Sequence, residues 1–285
     1  MTEHRILRGI DFARTGDHRS RPLLLDLYLP ESAQQQKMTG NLRPAIVHFH
    51  GGGWRIGERS SLGPVFDGFG LSPFEVLVEA GFVVASADYR LSGEAHFPAQ
   101  LHDAQAAVRW LRDNAVEHGI DPGRIYAWGD SAGGHLASLV GLVADADSRV
   151  AAVAAWYPPT DLNRMVEQAL PDAVARASDQ GSREELLVGA PLAAEPAMAA
   201  AASPVSYVRP GAPPFLLVHG TADRFVPAAQ SQSLADQLQK AGADVELLLI
   251  DGADHMWSLP DGSRAAAEKA MAATVTFFRR QSGVP

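Results

Sequence analysis

Residues 124–144 read R-I-Y-A-W-G-D-S-A-G-G-H-L-A-S-L-V-G-L-V-A: a β-rich apolar run, a serine between glycines, then a run of helix formers. The pattern G-x-S-x-G, here Gly129-Asp130-Ser131-Ala132-Gly133, falls where the strand pattern hands over to the helix pattern. A serine hydroxyl is a weak nucleophile unless it is exposed beside a base. A sharp strand-to-helix turn exposes it by holding the serine in a strained conformation, and flanking glycines remove the Cβ atoms that would collide. The pentapeptide alone is a weak signal, because at this composition it turns up by chance in roughly one chain in six. Its placement between a predicted strand and a predicted helix separates it from a glycine-rich turn with an incidental serine.

Working outward, similar apolar runs recur: AIVHFH at Ala45–His50, FVVASADYR from Phe82, VAAVAAWYPP from Val150, FLLVHG from Phe215 and VELLLI from Val245. They are continuous rather than alternating, which predicts strands buried on both faces, as in a parallel sheet covered by helices. Between them, Leu101, Ala104, Val108, Leu111 and Ala115 form one apolar stripe while Arg109, Arg112 and Asp113 face water. Ala229, Leu234, Leu238 and Ala241, stopped by Gly242, and the segment Ala266 to Phe278 predict two further helices. Strand alternating with helix predicts a doubly wound α/β fold, with its crevice beyond the carboxyl ends of the strands.

Two regions depart from that rhythm. Leu23, Leu25, Leu27 and Leu29 alternate with Leu24, Asp26 and Tyr28 up to Pro30, which predicts an N-terminal strand with a solvated edge, followed by a polar stretch from Glu31 to Asn41. From Thr160 to about Tyr207 the chain is Ala-rich and broken by Pro171, Pro191, Pro196 and Pro204. A stretch this long predicts a small, mostly helical cap-like insertion (160–207) over the crevice, within one domain spanning residues 1–285. A peripheral elaboration is the alternative.

Composition narrows the function classes. With 285 residues, 46% hydrophobic and 20% charged, the chain reads as a folded, soluble protein. A formal charge of −9 without a basic stripe argues against nucleic acid as a partner. The absence of cysteine excludes disulfides, thiolate metal sites and a cysteine nucleophile. No apolar run suits a signal peptide or a membrane span, so the expectation is a cytoplasmic protein with no membrane partner.

A second motif, His50-Gly51-Gly52-Gly53-Trp54, closes the AIVHFH strand. Consecutive glycines leave backbone N–H groups free to converge on one point, which an oxyanion requires. Gly52 and Gly53, with Ala132 after the serine, are the expected donors. His50 is read as a brace for the loop. The base is expected downstream at His255, in GADHMW after the VELLLI strand, and its acid at Asp223, in HGTADRFVP after FLLVHG. Asp251 and Asp254 compete for the acid role but share a loop with the histidine. His48, His96, His102, His118, His135 and His219 are read as structural. Trp54 is a candidate pocket wall, weighed equally against packing; packing is preferred for Trp156 and Tyr157.

Taken together, HGGGW, YRL, GDSAGGHLA, PTDL, HGTAD and the final histidine resemble the α/β-hydrolase superfamily, and within it the esterases similar to hormone-sensitive lipase. LDLYLP near the start and the modest insertion resemble the bacterial feruloyl-esterase-like and kynurenine-formamidase-like branch. The resemblance implies a catalytic triad of Ser131, Asp223 and His255, and a serine carboxylesterase acting without a cofactor on small-molecule esters. Formamidase-type members commonly carry a bulkier residue at the third glycine of the loop, so Gly53 favours a general esterase, and the small, proline-broken insertion points to short acyl chains; a feruloyl or acetylated-sugar esterase and an aryl formamidase remain alternatives on the same machinery. Two rival classes are weaker. A metal-dependent hydrolase would use His48 and His50, which strand alternation places on one face, but it leaves the G-x-S-x-G unexplained. A non-catalytic binding module would leave the serine, histidine and glycine loop without a role.

Overall fold

A computed structural model describes residues 4–14, 21–31, 42–60, 62–67, 69–174 and 180–284. The polar stretch expected at residues 31–41 lies outside the described residues from position 32 onward. The strands are β1 (His4–Arg14), β2 (Pro22–Pro30), β3 (Arg43–Phe49), β4 (Val83–Ala87), β5 (Ile120–Asp130), β6 (Val153–Trp156), β7 (Phe215–Gly220) and β8 (Val245–Ile250). They form one sheet in the order β1-β2-β4-β3-β5-β6-β7-β8. The β1–β2 and β2–β4 pairs are antiparallel, and the pairs from β4–β3 through β7–β8 are parallel.

Alternation along β5 explains why both faces are covered. Ile125 and Ala127 enter one apolar cluster, which also holds Leu101, Val108 and Leu111 of α2 (Ala99–Asp113), Leu136, Leu139 and Val140 of α4 (Ala132–Val143), and Leu234 and Leu238 of α8 (Ala229–Lys240). Tyr126 and Trp128 face the other way, toward Phe74 and Leu77 of α1 (Pro73–Glu79) and Phe277 and Phe278 of α9 (Ala265–Ser282). Short α3 (Ala115–His118) ends in left-handed Gly119 and leads into β5. With side chains buried on both sides, β5 needs the continuous apolar sequence that it has.

Two expectations change, and one strand is added. The Leu23–Leu29 strand has no solvated edge: β2 is buried along most of its length, and β1 pairs along it on the outer side. Strand β1 carries no period-2 signature, because its register shifts twice, between Leu7 and Ile10 and between Asp11 and Ala13. VELLLI is only half buried, since β8 is the far edge of the sheet and Leu247 is exposed.

Within residues 160–207 the described part forms α5 (Met165–Gln168), α6 (Arg183–Val188), α7 (Pro196–Ala201) and a 3₁₀ turn at Pro204–Tyr207. Ser182 caps α6 by accepting the Glu185 N–H, and left-handed Gly189 ends it. The segment is pinned to the body by hydrogen bonds from the Phe97 N–H to the Leu187 carbonyl and between His96 Nδ1 and the Leu186 carbonyl.

Candidate active site

Ser131 sits between β5 and α4 with φ 52° and ψ −118°, a conformation that costs a non-glycine residue about 1–3 kcal/mol. The glycines around it are required by close approach. A Cβ on Gly133 would lie 1.8 Å from the Phe49 carbonyl oxygen, and one on Gly129 would lie 2.3 Å from the Gly133 oxygen. The Ser131 N–H donates to the Trp156 carbonyl at 2.8 Å, fixing the elbow to the end of β6.

The turn after β8 delivers His255. Asp254 Oδ1 accepts the His255 N–H at 2.7 Å, and Met256 and Trp257 both take positive φ. His255 Nε2 lies 3.1 Å from Ser131 Oγ, and its Nδ1 lies 2.7 Å from Asp223 Oδ2. All three side chains are buried. Asp223 Oδ1 accepts the N–H groups of Phe225 at 2.9 Å and Val226 at 2.8 Å. Burial by itself would raise the Asp223 pKa, but His255 and His219 outweigh it and hold the carboxyl well below the usual range. Tyr157 and Phe225 flank the imidazole, with ring centroids 4.5 Å and 5.3 Å away.

His219, read from sequence as merely structural, belongs to this assembly. Its Nε2 lies 2.8 Å from the Val226 carbonyl and 3.4 Å from Asp223 Oδ2, while Nδ1 meets the Ser231 hydroxyl at 2.7 Å. The signal was present in HGTAD, four residues before the acid at a strand end, but only the fold turns that spacing into contact. Asp254 and Asp251 are engaged elsewhere: Asp254 holds the Arg224 guanidinium Nε at 2.7 Å, and Asp251 accepts from the Thr221 hydroxyl at 3.1 Å.

In the glycine loop, the Gly51 N–H donates to Asp130 Oδ1 at 3.1 Å, and no described residue accepts from Gly52 N–H or Gly53 N–H. His50 braces the loop as expected, with Nδ1 2.7 Å from the Gly51 carbonyl and its ring stacked 4.3 Å from Tyr89. Trp54 does not wall an open pocket. It is 1% exposed, its Nε1 donates to His135 Nδ1 at 3.2 Å, and His135 Nε2 donates to the Ala202 carbonyl at 2.7 Å, so this indole packs the core. Trp156 and Tyr157 are also buried.

His48 and His50 do not share a face. His48 packs against Phe74 and Trp128 and meets the Ser86 hydroxyl at 3.0 Å, whereas β3 ends at Phe49 and His50 turns onto Tyr89. Among the described residues no group of three or more His, Asp or Glu is placed to hold a metal ion. Among the same residues no helix is long and apolar enough to cross a membrane.

A mostly parallel sheet whose central strand ends in a strained serine, met by a histidine arriving from the last strand, is the architecture of an α/β hydrolase. Comparison with known proteins then defines the family. The BD-FAE family model matches residues 25–238, and the chain belongs to that family. Esterase LipQ of Mycobacterium tuberculosis is 32% identical over 235 residues, covering 77% of this chain and 52% of LipQ. Esterase LipC of the same organism is 30% identical over 261 residues, covering 87% of this chain and 62% of LipC. The chain thus spans between about half and three-fifths of the length of these relatives. Among solved structures, a truncated carbohydrate esterase from gut microbiota superposes with a TM-score of 0.80 at 27% identity, covering 98% of this chain and 96% of that one. Thermogutta terrifontis esterase 2 phosphonylated by sarin superposes with a TM-score of 0.75 at 29% identity, covering 95% and 94%.

Proposed function

We propose that this chain is a serine carboxylesterase acting on small, short-chain esters, with Ser131 as nucleophile, His255 as general base and acid, and Asp223 as its partner. The observation that carries the reading is the unbroken line of hydrogen bonds from Asp223 through His255 to Ser131. Asp223 holds the proton on Nδ1, which leaves Nε2 free to accept. Ser131 Oγ attacks the ester carbonyl as Nε2 takes its proton. The oxyanion gathers at the N–H groups of Gly52, Gly53 and Ala132, a choice supported by the Gly51 N–H being engaged with Asp130. Collapse expels the alcohol, which takes the proton from His255. Water, activated by the same imidazole, then releases the acid from the acyl-enzyme.

The segment 160–207 serves as a small cap. Its described helices have four to six residues each, too short for the broad apolar underside of an interfacial lid. Each bound methylene adds about 0.8 kcal/mol until the pocket ends, so turnover peaks at about two to six acyl carbons and then falls. An acetylated sugar is the second reading, favoured by the likeness to a carbohydrate esterase.

The deciding experiment compares wild type with Ser131→Ala on p-nitrophenyl acetate through palmitate and on an acetylated xylan oligosaccharide. Loss of about three to six orders of magnitude in the variant is expected, together with stoichiometric phosphonate labelling of Ser131 in wild type. Retention of more than about a tenth of activity by Ser131→Ala sinks the assignment.

A further inference from the structure

Arg183 opens α6 in the cap-like segment and reaches across to the glycine loop. A Cβ on Gly53 would stand 2.6 Å from Arg183 Cδ and 3.0 Å from its Cγ, so the arginine stem occupies the space that a side chain at position 53 would fill. Gly53 has φ +61°, which also favours glycine there. Beyond the stem, the guanidinium carbon lies 5.5 Å from the centroid of Phe225, the ring that flanks His255. The cation therefore lies beside both the glycine loop and the ring that flanks His255.

Its surroundings are unlike those of arginines of the same burial. The Arg59 side chain is 21% exposed and holds Asp26 at 2.7 Å; Arg90 is 24% exposed and holds Asp103 at 2.7 Å. The Arg183 side chain is 23% exposed, yet among the described residues the nearest carboxylate oxygen, on Glu184, is 3.9 Å away, beyond hydrogen-bond reach. Adjacent residues of a helix do not face each other, which explains the poor fit of that pair. No described residue accepts a hydrogen bond from Arg183, although its planar fork carries five N–H donors matched to a carboxylate.

We propose that Arg183 determines specificity by receiving a carboxylate carried by the substrate, so that the preferred esters are anionic, with the carboxylate a few bonds from the scissile carbonyl. This rests on the esterase reading of the Ser131 site. The planar cation fixes the orientation of the ester through two parallel N–H···O bonds, while the aliphatic stem lies on the oxyanion loop.

Two matched pairs test it. On the acyl side, p-nitrophenyl hemiglutarate is compared with neutral p-nitrophenyl glutaramate; on the alcohol side, 4-acetoxybenzoate is compared with 4-acetoxybenzamide. Wild type is expected to favour the anionic member of at least one pair by about tenfold or more in kcat/KM. Arg183→Gln and Arg183→Met should remove that ratio, chiefly through KM, and Arg183→Lys should keep part of it. A purely structural role would lower both members together and leave the ratio in place, which overturns the proposal, as does a wild-type ratio near one in both pairs. Ser131-dependent hydrolysis of p-nitrophenyl acetate separates the two readings. Without it the esterase reading fails and this one with it; with it, an unmoved ratio defeats the role of Arg183 alone.

Discussion

Asp130 and Gly51 stand 79 positions apart in the chain, and the Gly51 N–H donates to Asp130 Oδ1 at 3.1 Å. That bond ties the residue before the elbow serine to the first glycine of the loop. The same oxygen lies 3.4 Å from His48 Nε2, so one buried carboxylate joins β3, the loop and the elbow. It also leaves Gly52 and Gly53 as the loop glycines whose N–H groups no described residue accepts, because it engages that of Gly51.

Asp130→Ala is therefore expected to loosen the loop without touching substrate. The turnover number on p-nitrophenyl acetate should fall roughly ten- to a hundredfold with little change in KM, because oxyanion donors act in the transition state. Asp130→Asn, which keeps an acceptor oxygen, should lose less. A rise in KM alone would place Asp130 against the substrate instead.

The two aspartates near His255 are expected to differ sharply. Asp223→Asn should cut turnover by about four orders of magnitude by favouring the wrong imidazole tautomer. Asp254→Asn should cost less than about tenfold, since Asp254 shapes the turn and pairs with Arg224. Steady-state kinetics of both variants, with circular dichroism to check folding, would expose a misplaced acid if the order were reversed.

Stability should decline on mild acidification because of a histidine outside the reaction. Burial, opposed by the Ala202 carbonyl, lowers the His135 pKa from 6.5 to about 4. Above pH 6.5 folded and unfolded chains are both mainly neutral at this residue. Between about 6.5 and 4 the unfolded chain binds a proton that the folded chain refuses, which removes up to roughly 3 kcal/mol. Burial lowers His48 and His50 as well, in the same sense. Asp223, held low, adds its own loss only below the ordinary carboxylate range. Urea midpoints at pH 7.5, 5.5 and 4.5 should fall less steeply in His135→Gln than in wild type; equal slopes would remove His135 from the account.

Trp54→Phe separates packing from substrate contact. Removal of the indole N–H leaves His135 Nδ1 without its donor, at a cost of about 1–3 kcal/mol seen as a lower Tm. The profile of kcat/KM against acyl length should keep its shape. A shifted optimum would return Trp54 to the pocket wall.

Much of the site was legible in order along the chain. The elbow, the glycine loop and the loops bearing Asp223 and His255 each announce themselves through local rules: glycine where backbones must touch, apolar runs that stop at turns. The elbow and β5 with its flanking helices were readable for the same reason. Strand β1 was not, because two register shifts erase its alternation. Nor was the half-exposed edge at β8, since apolar content does not tell a central strand from the last one.

The sequence by itself determined the fold class and marked the turns that carry Ser131, Asp223, His255 and the Gly51–Gly53 run, because turn and strand preferences act over a few residues. Only the tertiary structure decided what each side chain meets: His219 on Asp223, Asp130 on Gly51, Trp54 on His135, Arg183 over Gly53 and Phe225. Most of these partners lie far apart in the chain, and their contact depends on strand order and helix docking, which are set by burial summed over the whole core rather than by any local pattern.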